Sequence, residues 1–148
     1  MSEKPESYYL KFRLGEQIIL VSLDFVYLIL PIAQLQHIPQ QHSALAGILN
    51  YHGQAVPVYH LYELLEASKV AYDLDTPIIL CSLSSQCVGL FVSEVMEVCD
   101  INEQLIQQPP KTWSYVKGII KDETSSAWIL DLEQLLHWPQ SCLERAHE

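Results

Sequence analysis

At 148 residues the chain is one ordinary domain, or two small subdomains that share a core. Hydrophobic residues make up 49% of it, enough for burial to offset the entropy lost on folding, which excludes a disordered chain. Eighteen acidic against eight basic residues leave a formal charge of −10, a field that repels phosphate backbones and anionic headgroups and argues against nucleic acid or bare membrane as partners.

The first seven residues are polar, carry Glu3 and Glu6, and do not resemble a secretory signal, so the cytosol is the expected compartment. Tyr8 to Leu14, the turn Gly15-Glu16-Gln17 and Ile18 to Leu23 read as a β-hairpin. The next strand, Val26-Tyr27-Leu28-Ile29-Leu30, is stopped by Pro31 and is far shorter than the roughly 18 apolar residues of a membrane span. Gly47-Ile48-Leu49 opens a glycine-strand-helix unit. Leu61, Leu64 and Leu65 then share one face of a short helix. Ile78 to Leu83, Ser84-Ser85-Gln86 and Cys87 to Val92 repeat the hairpin design, and residues 101–112 read as a surface connector. Leu132, Leu135 and Leu136 line a last helix before Pro139, with Asp131 as its N-cap and Gln134 as the capping-box partner.

The order of elements contains a repeat. Gly47-Ile48-Leu49 recurs as Gly118-Ile119-Ile120, and at the same offset of 71 Val58 matches Ile129, Leu61 matches Leu132, and Leu64-Leu65 match Leu135-Leu136. Earlier in each half, an offset of 70 sets Ile18, Leu20, Asp24 and Val26 against Val88, Leu90, Glu94 and Met96. The expected fold is therefore all-β with short helices, a single domain over residues 8–137 whose related halves fall near 8–70 and 71–137. Residues 1–7 and 138–148 are expected to be tails. Subdomains of this size are marginal alone, so they must pack on one another, with a groove between them for a partner.

Chemistry is sparse along this frame. Cys81, Cys87, Cys99 and Cys142 form no C-x-x-C pair and fit reduced core thiols better than a disulfide. Among the histidines at 37, 42, 52, 60, 137 and 147, His52 and His60 flank a strand, but no third ligand in a metal-site spacing joins them. No G-x-S-x-G elbow is present, and the five glycines are too dispersed for a phosphate loop. No cofactor is expected, and no enzyme. Tyr51, Tyr59 and Tyr62 around the first strand–helix unit, and Trp113, Tyr115 and Trp128 around the second, favour a binding module instead.

The segment Gly47-Ile48-Leu49-Asn50-Tyr51-His52-Gly53, followed by Pro57-Val58-Tyr59-His60-Leu61, is similar to the signature of CheW-like domains, G-hydrophobic-hydrophobic-N-x-R-G with a strand ending P-V-x-D-L. Val88-Gly89-Leu90-Phe91-Val92-Ser93-Glu94-Val95 resembles that family's V-G-hydrophobic-x-V-D-x-V. Lys117-Gly118-Ile119 and Ile129-Leu130-Asp131-Leu132 resemble its third motif. The resemblance runs from about Tyr8 to His137. It implies two packed five-stranded SH3-like β-barrels. It also implies a cytoplasmic adaptor, recruited to receptor arrays, that joins the tips of methyl-accepting chemoreceptors to the regulatory domain of a CheA-type histidine kinase.

Four positions depart from the pattern: His52 replaces the usual arginine, Leu28 a glutamate, His60 an aspartate and Ser93 another aspartate. In the family the glutamate and the arginine pair, so their joint replacement reads as the coordinated loss of an ion pair. That loss points to a divergent member, either serving a pilus or surface-motility system in place of flagellar chemotaxis or meeting its kinase through an altered contact. It also leaves open a decoy or structural subunit of another complex, and a ligand-binding or enzymatic barrel with a site in the groove. The partner-binding residues expected at the junction are Val26, Leu28, His52, Val56, Val88 and Val95. On this reading His52→Glu and Val88→Glu would abolish binding and leave stability almost unchanged.

Overall fold

A computed structural model describes residues 8–31, 35, 44–121 and 125–136 of the chain. His37, His42, His137, His147, Cys142 and both expected tails lie outside the described residues. Ten strands carry the fold: β1 (Tyr8–Leu14), β2 (Gln17–Ser22), β3 (Val26–Leu30), β4 (Leu45–Tyr51), β5 (Gln54–His60), β6 (Ile78–Leu83), β7 (Gln86–Phe91), β8 (Glu94–Asp100), β9 (Val116–Lys121) and β10 (Ser126–Leu130). A single helical turn, α1 (Leu61–Leu64), follows β5, and helical residues 132–136 follow β10. The expectation of an all-β chain with short helices holds. Alternation writes it most plainly in β1, where Leu10, Phe12 and Leu14 are buried while the residues between them face outward.

The strands assemble into two five-stranded sheets, ordered β8-β1-β2-β10-β9 and β3-β6-β7-β5-β4. Neither sheet is a continuous half of the sequence. The related halves near 8–70 and 71–137 do not each form a sheet of their own, because each contributes strands to both sheets. The first half gives β1 and β2 to the first sheet and β3, β4 and β5 to the second; the second half does the reverse. Two parallel ladders join the halves, β2 with β10 and β5 with β7.

The repeat itself is real and finer than apolar matching suggests. Phe12 pairs with Ile19 as Cys81 pairs with Val88, and Lys11 pairs with Glu97 as Leu80 pairs with Leu28, so β1–β3 map onto β6–β8 at an offset of 69. The expected offset of 70 is one residue out. It set Ile18 against Val88, but Val88 belongs to the junction core and its counterpart there is Ile19. A slip of one residue turns every side chain to the other face of a strand. The offset of 71 holds for the rest: Gly47 pairs with Val58 as Gly118 pairs with Ile129. The ladders even break at matching places, at Tyr27 and Met96, and again at Ala46 and Lys117. His60 N–H donates to Ala44 O at 2.7 Å as Asp131 N–H donates to Tyr115 O at 2.8 Å.

Two clusters form the core. The larger lies between the sheets and draws Leu10, Phe12, Ile19 and Val21 from one, Ile79, Cys81, Val88 and Leu90 from the other, and Leu132, Leu135 and Leu136 from the last helical turn. The smaller belongs to the second sheet: Leu49, Val56, Val58, Ile78, Leu80 and Phe91. Within it Gly89 is required. A Cβ there would stand 2.9 Å from Ile78 Cγ2 and 3.0 Å from Val58 Cγ2. Cys81 pairs with Val88 and Cys87 with Ser82, so the two thiols are not opposite one another, and Cys81, Cys87 and Cys99 are free. Burial pushes the Cys81 thiol up to about 12, which keeps it protonated and inert.

Candidate functional site

The turn between β4 and β5 shows what the glycine-asparagine motif is for. His52 and Gly53 have φ of 50° and 83°, the left-handed pair that a two-residue hairpin turn needs. Asn50 Oδ1 accepts a hydrogen bond from Gly53 N–H at 3.0 Å and holds that turn. Asn50 and Gly53 are therefore structural. His52, between them, is exposed, and its ring meets that of Tyr51 edge-on at 4.3 Å. Tyr51 in turn meets Tyr27 of β3 at 6.2 Å, also edge-on. β3 and β4 are the two edges of the second sheet, so this contact marks where the sheet curls back on itself.

The expected partner-binding residues fall into three groups. His52 is on the surface, and Leu28 is half-buried, packed against the smaller core cluster. Val26 and Val95 are counterparts in the repeat; both are half-buried and pack against the junction core just before the bulges at Tyr27 and Met96. Val56 and Val88 are each only 1% exposed, so their expected role is corrected: they are core residues closed to a partner. Both follow the inward period of their strands, and a motif match alone does not separate a residue that builds a fold from one that meets a partner. Accordingly Val88→Glu would bury a charge and unfold the chain, contrary to the sequence-based expectation.

What the sequence reading missed is the exposed apolar row on the edge strands. Tyr27 is 59% exposed and Met96 43%, with Ile29 and Val98 open beside them. The signal was present in the alternation of β3 and β8, but only the bulges reveal that Tyr27 and Met96 are extra residues turned outward.

Along β8 charged residues stand beside Met96 and Val98. Lys11 Nζ lies 3.6 Å from Glu97 Oε2, and Arg13 Nε donates to Glu94 Oε1 at 3.1 Å. Ser93, which stands where the motif has aspartate, accepts from Gly15 N–H at 2.8 Å and ties this edge to the first hairpin.

His60, the other departure, does not cap the helix it precedes. Its Nδ1 lies 2.7 Å from the Tyr72 hydroxyl. Among the described residues no group of three or more His, Cys, Asp or Glu is placed to hold a metal ion, and no helix is long and apolar enough to cross a membrane. The arrangement offers apolar and aromatic contact area on the β3 edge, ion pairs beside exposed apolar residues on β8, and a turn that presents His52.

Comparison with known proteins accords with this geometry. The sequence matches the CheW-like domain family over residues 8–140. The structure is similar to the crystal structure of the scaffolding protein TtCheW from Thermoanaerobacter tengcongensis, with a TM-score of 0.81 and 26% identity over 89% of this chain and 93% of that one. No curated protein matches the chain.

Proposed function

As the chain belongs to the CheW-like domain family, we propose that it is a non-catalytic cytoplasmic adaptor coupling the tips of methyl-accepting chemoreceptors to the regulatory domain of a CheA-type histidine kinase. The observation that carries this reading is the likeness over nearly the full length of both chains to a protein described as a scaffold. The surface supports it physically. Exposed Tyr27 and Ile29 on a sheet edge, beside the fixed ring of His52, are the kind of aromatic and apolar anchors that dominate protein interfaces. Val26, Leu28 and Val95 lie under these edges and shape them, and His52 touches the partner directly.

A second reading keeps the fold and drops the kinase: a decoy or a structural subunit of another complex. One observation favours it. Leu28 pairs with Leu80, two apolar residues, at the place where the family pattern has a glutamate. A kinase surface built to meet an ion pair would find none there.

The test is kinase activation in a reconstituted array of receptor, CheA-type kinase and the full chain. Stimulation by the wild type and its loss in His52→Glu, with an unchanged melting temperature, supports the coupling reading. Binding to receptor with no effect on kinase activity sinks it and selects the decoy.

A further inference from the structure

The repeat marks a surface on which the two sheets differ. Trp128 pairs with Ile119 as Pro57 pairs with Ile48, so the two pairs occupy equivalent positions. At the matching ladder breaks Lys117 stands for Ala46, and beyond Ile119 Lys121 stands for Asn50. The first sheet has therefore placed two cations and an indole where the second has only neutral groups.

The charge of the chain makes this placement unusual. The whole carries −10, and Lys11 and Arg13 are engaged by Glu97 and Glu94. Of the four other Lys and Arg among the described residues, Lys111, Lys117 and Lys121 lie on β9 or the connector before it, and all three are exposed.

Between Lys117 and Lys121 lies apolar area. Ile19, Trp128 and Ile119 stand in register across β2, β10 and β9, and the row passes from the buried junction core at Ile19 to two half-buried side chains. Trp113, 40% exposed, sets its ring 5.3 Å from that of Trp128 and widens the row. Gln107 bridges Ile119 by two backbone bonds of 2.8 and 2.9 Å, so the backbone of β9 is taken there and recognition falls to side chains.

We propose that this face docks an acidic, extended segment of a partner protein, with two carboxylates on Lys117 and Lys121 and an apolar side chain between them on Ile119 and the indoles. Four residues of strand set the lysines roughly 13 Å apart, which is also the span from residue i to i+4 of an extended peptide. Residue i+2 of that peptide points to the same side and meets Ile119 midway. Ion pairs on an open surface contribute little each and fix the register, while burial of the apolar side chain against Trp113 and Trp128 supplies the affinity. The net negative charge slows the approach of such a segment, but within a Debye length of about 8–10 Å the lysines govern. The coupling reading rests on the β3 edge, and this face is independent of it.

The probe is an acetylated and amidated peptide, Gly-Glu-Thr-Leu-Thr-Glu-Gly, titrated into the full chain and followed by NMR. Amides of β9 and the indole N–H groups of Trp113 and Trp128 should shift saturably, with a Kd of about 1 mM or tighter at low salt. The same peptide with glutamine for glutamate should bind severalfold more weakly. Raising the salt from about 50 to about 300 mM should weaken the acidic peptide severalfold. Lys117→Gln with Lys121→Gln should weaken it likewise at an unchanged melting temperature, and Lys69→Gln should leave it unaltered. Protection of an edge strand against aggregation, the other task of lysines so placed, predicts no binding at all, and that result overturns the proposal. Equal binding of the glutamine peptide overturns it too. So does binding that salt does not weaken, which would mean that Asp122 and Glu123, next in sequence and outside the described residues, cancel the lysines. These readings use the wild type alone and stand even if the double variant fails to fold. A dimer in sedimentation that the lysine substitutions dissolve and the peptide does not displace would put a second copy on this face, and also overturns the proposal.

Discussion

The two sheets share one strand plan and differ in what they place on it. At the pair after the edge bulge, the second sheet has Leu28 opposite Leu80, and the first has Glu97 opposite Lys11. Where the second sheet leaves Gly89 empty-faced against Val58, the first fills the same site with Leu20 against Ile129. The second sheet thus gathers a cluster of apolar side chains on this face, and the first keeps charged residues at the equivalent pair. Backbone pairing and bulge position tolerate either chemistry, so a repeat of this kind can hold its fold while its two edges are specialised for different contacts.

The comparison can be broken first at the junction that both sheets share. Val88→Glu should cost about 3 kcal/mol or more, because it buries a charge without a partner, and thermal unfolding or loss of soluble protein would show it. A variant that folds normally would return Val88 to the surface.

Next come the exchanged positions. Leu20→Ala should cost about 2–5 kcal/mol through the cavity it leaves. Gly89→Ala should cost about 1–3 kcal/mol through overpacking against Ile78 and Val58. Denaturant midpoints of both variants should fall, one through a void and the other through a clash.

Smaller again is the contrast at the helix starts. Asp131→Ala should cost about 1 kcal/mol as a lost cap. His60 gives its neighbour no cap, and its contribution should depend on pH. Its folded pKa is depressed, so the unfolded chain binds that proton more readily. The stability it supports is therefore complete above about pH 6.5 and declines as the pH falls through the lower, folded value. Melting temperatures of the wild type and His60→Gln should diverge above that range and converge below it.

The smallest effect is expected at the ion pair. A double-mutant cycle on Lys11 and Glu97 should give a coupling under about 1 kcal/mol that fades at high salt, since both side chains are substantially exposed. A larger coupling would mean that the first sheet depends on its charges as the second does on its leucines.

Of the candidate site, His52 was legible only as a position in the family motif; the turn that exposes it is shown by the left-handed backbone of His52 and Gly53 and by the Asn50 bond that holds it. Val56 and Val88 were misread because strand residues in a family motif carry no mark of which face they occupy. Tyr72 gave no signal at all. It stands in a stretch without periodicity, and only the folded chain brings it to His60.

The sequence by itself determined the strands, their hairpin turns, the Asp131 cap and the existence of a repeat, since each of these is written in local periodicity or in turn chemistry. Tertiary structure alone decided which strands share a sheet and in what register. Pairing between β2 and β10, or between β5 and β7, joins residues far apart in sequence. Apolar alternation fits offsets of 69 and 70 almost equally well until one face must be buried against another. The interleaving of the halves follows from that choice, which belongs to packing and not to any segment of the chain.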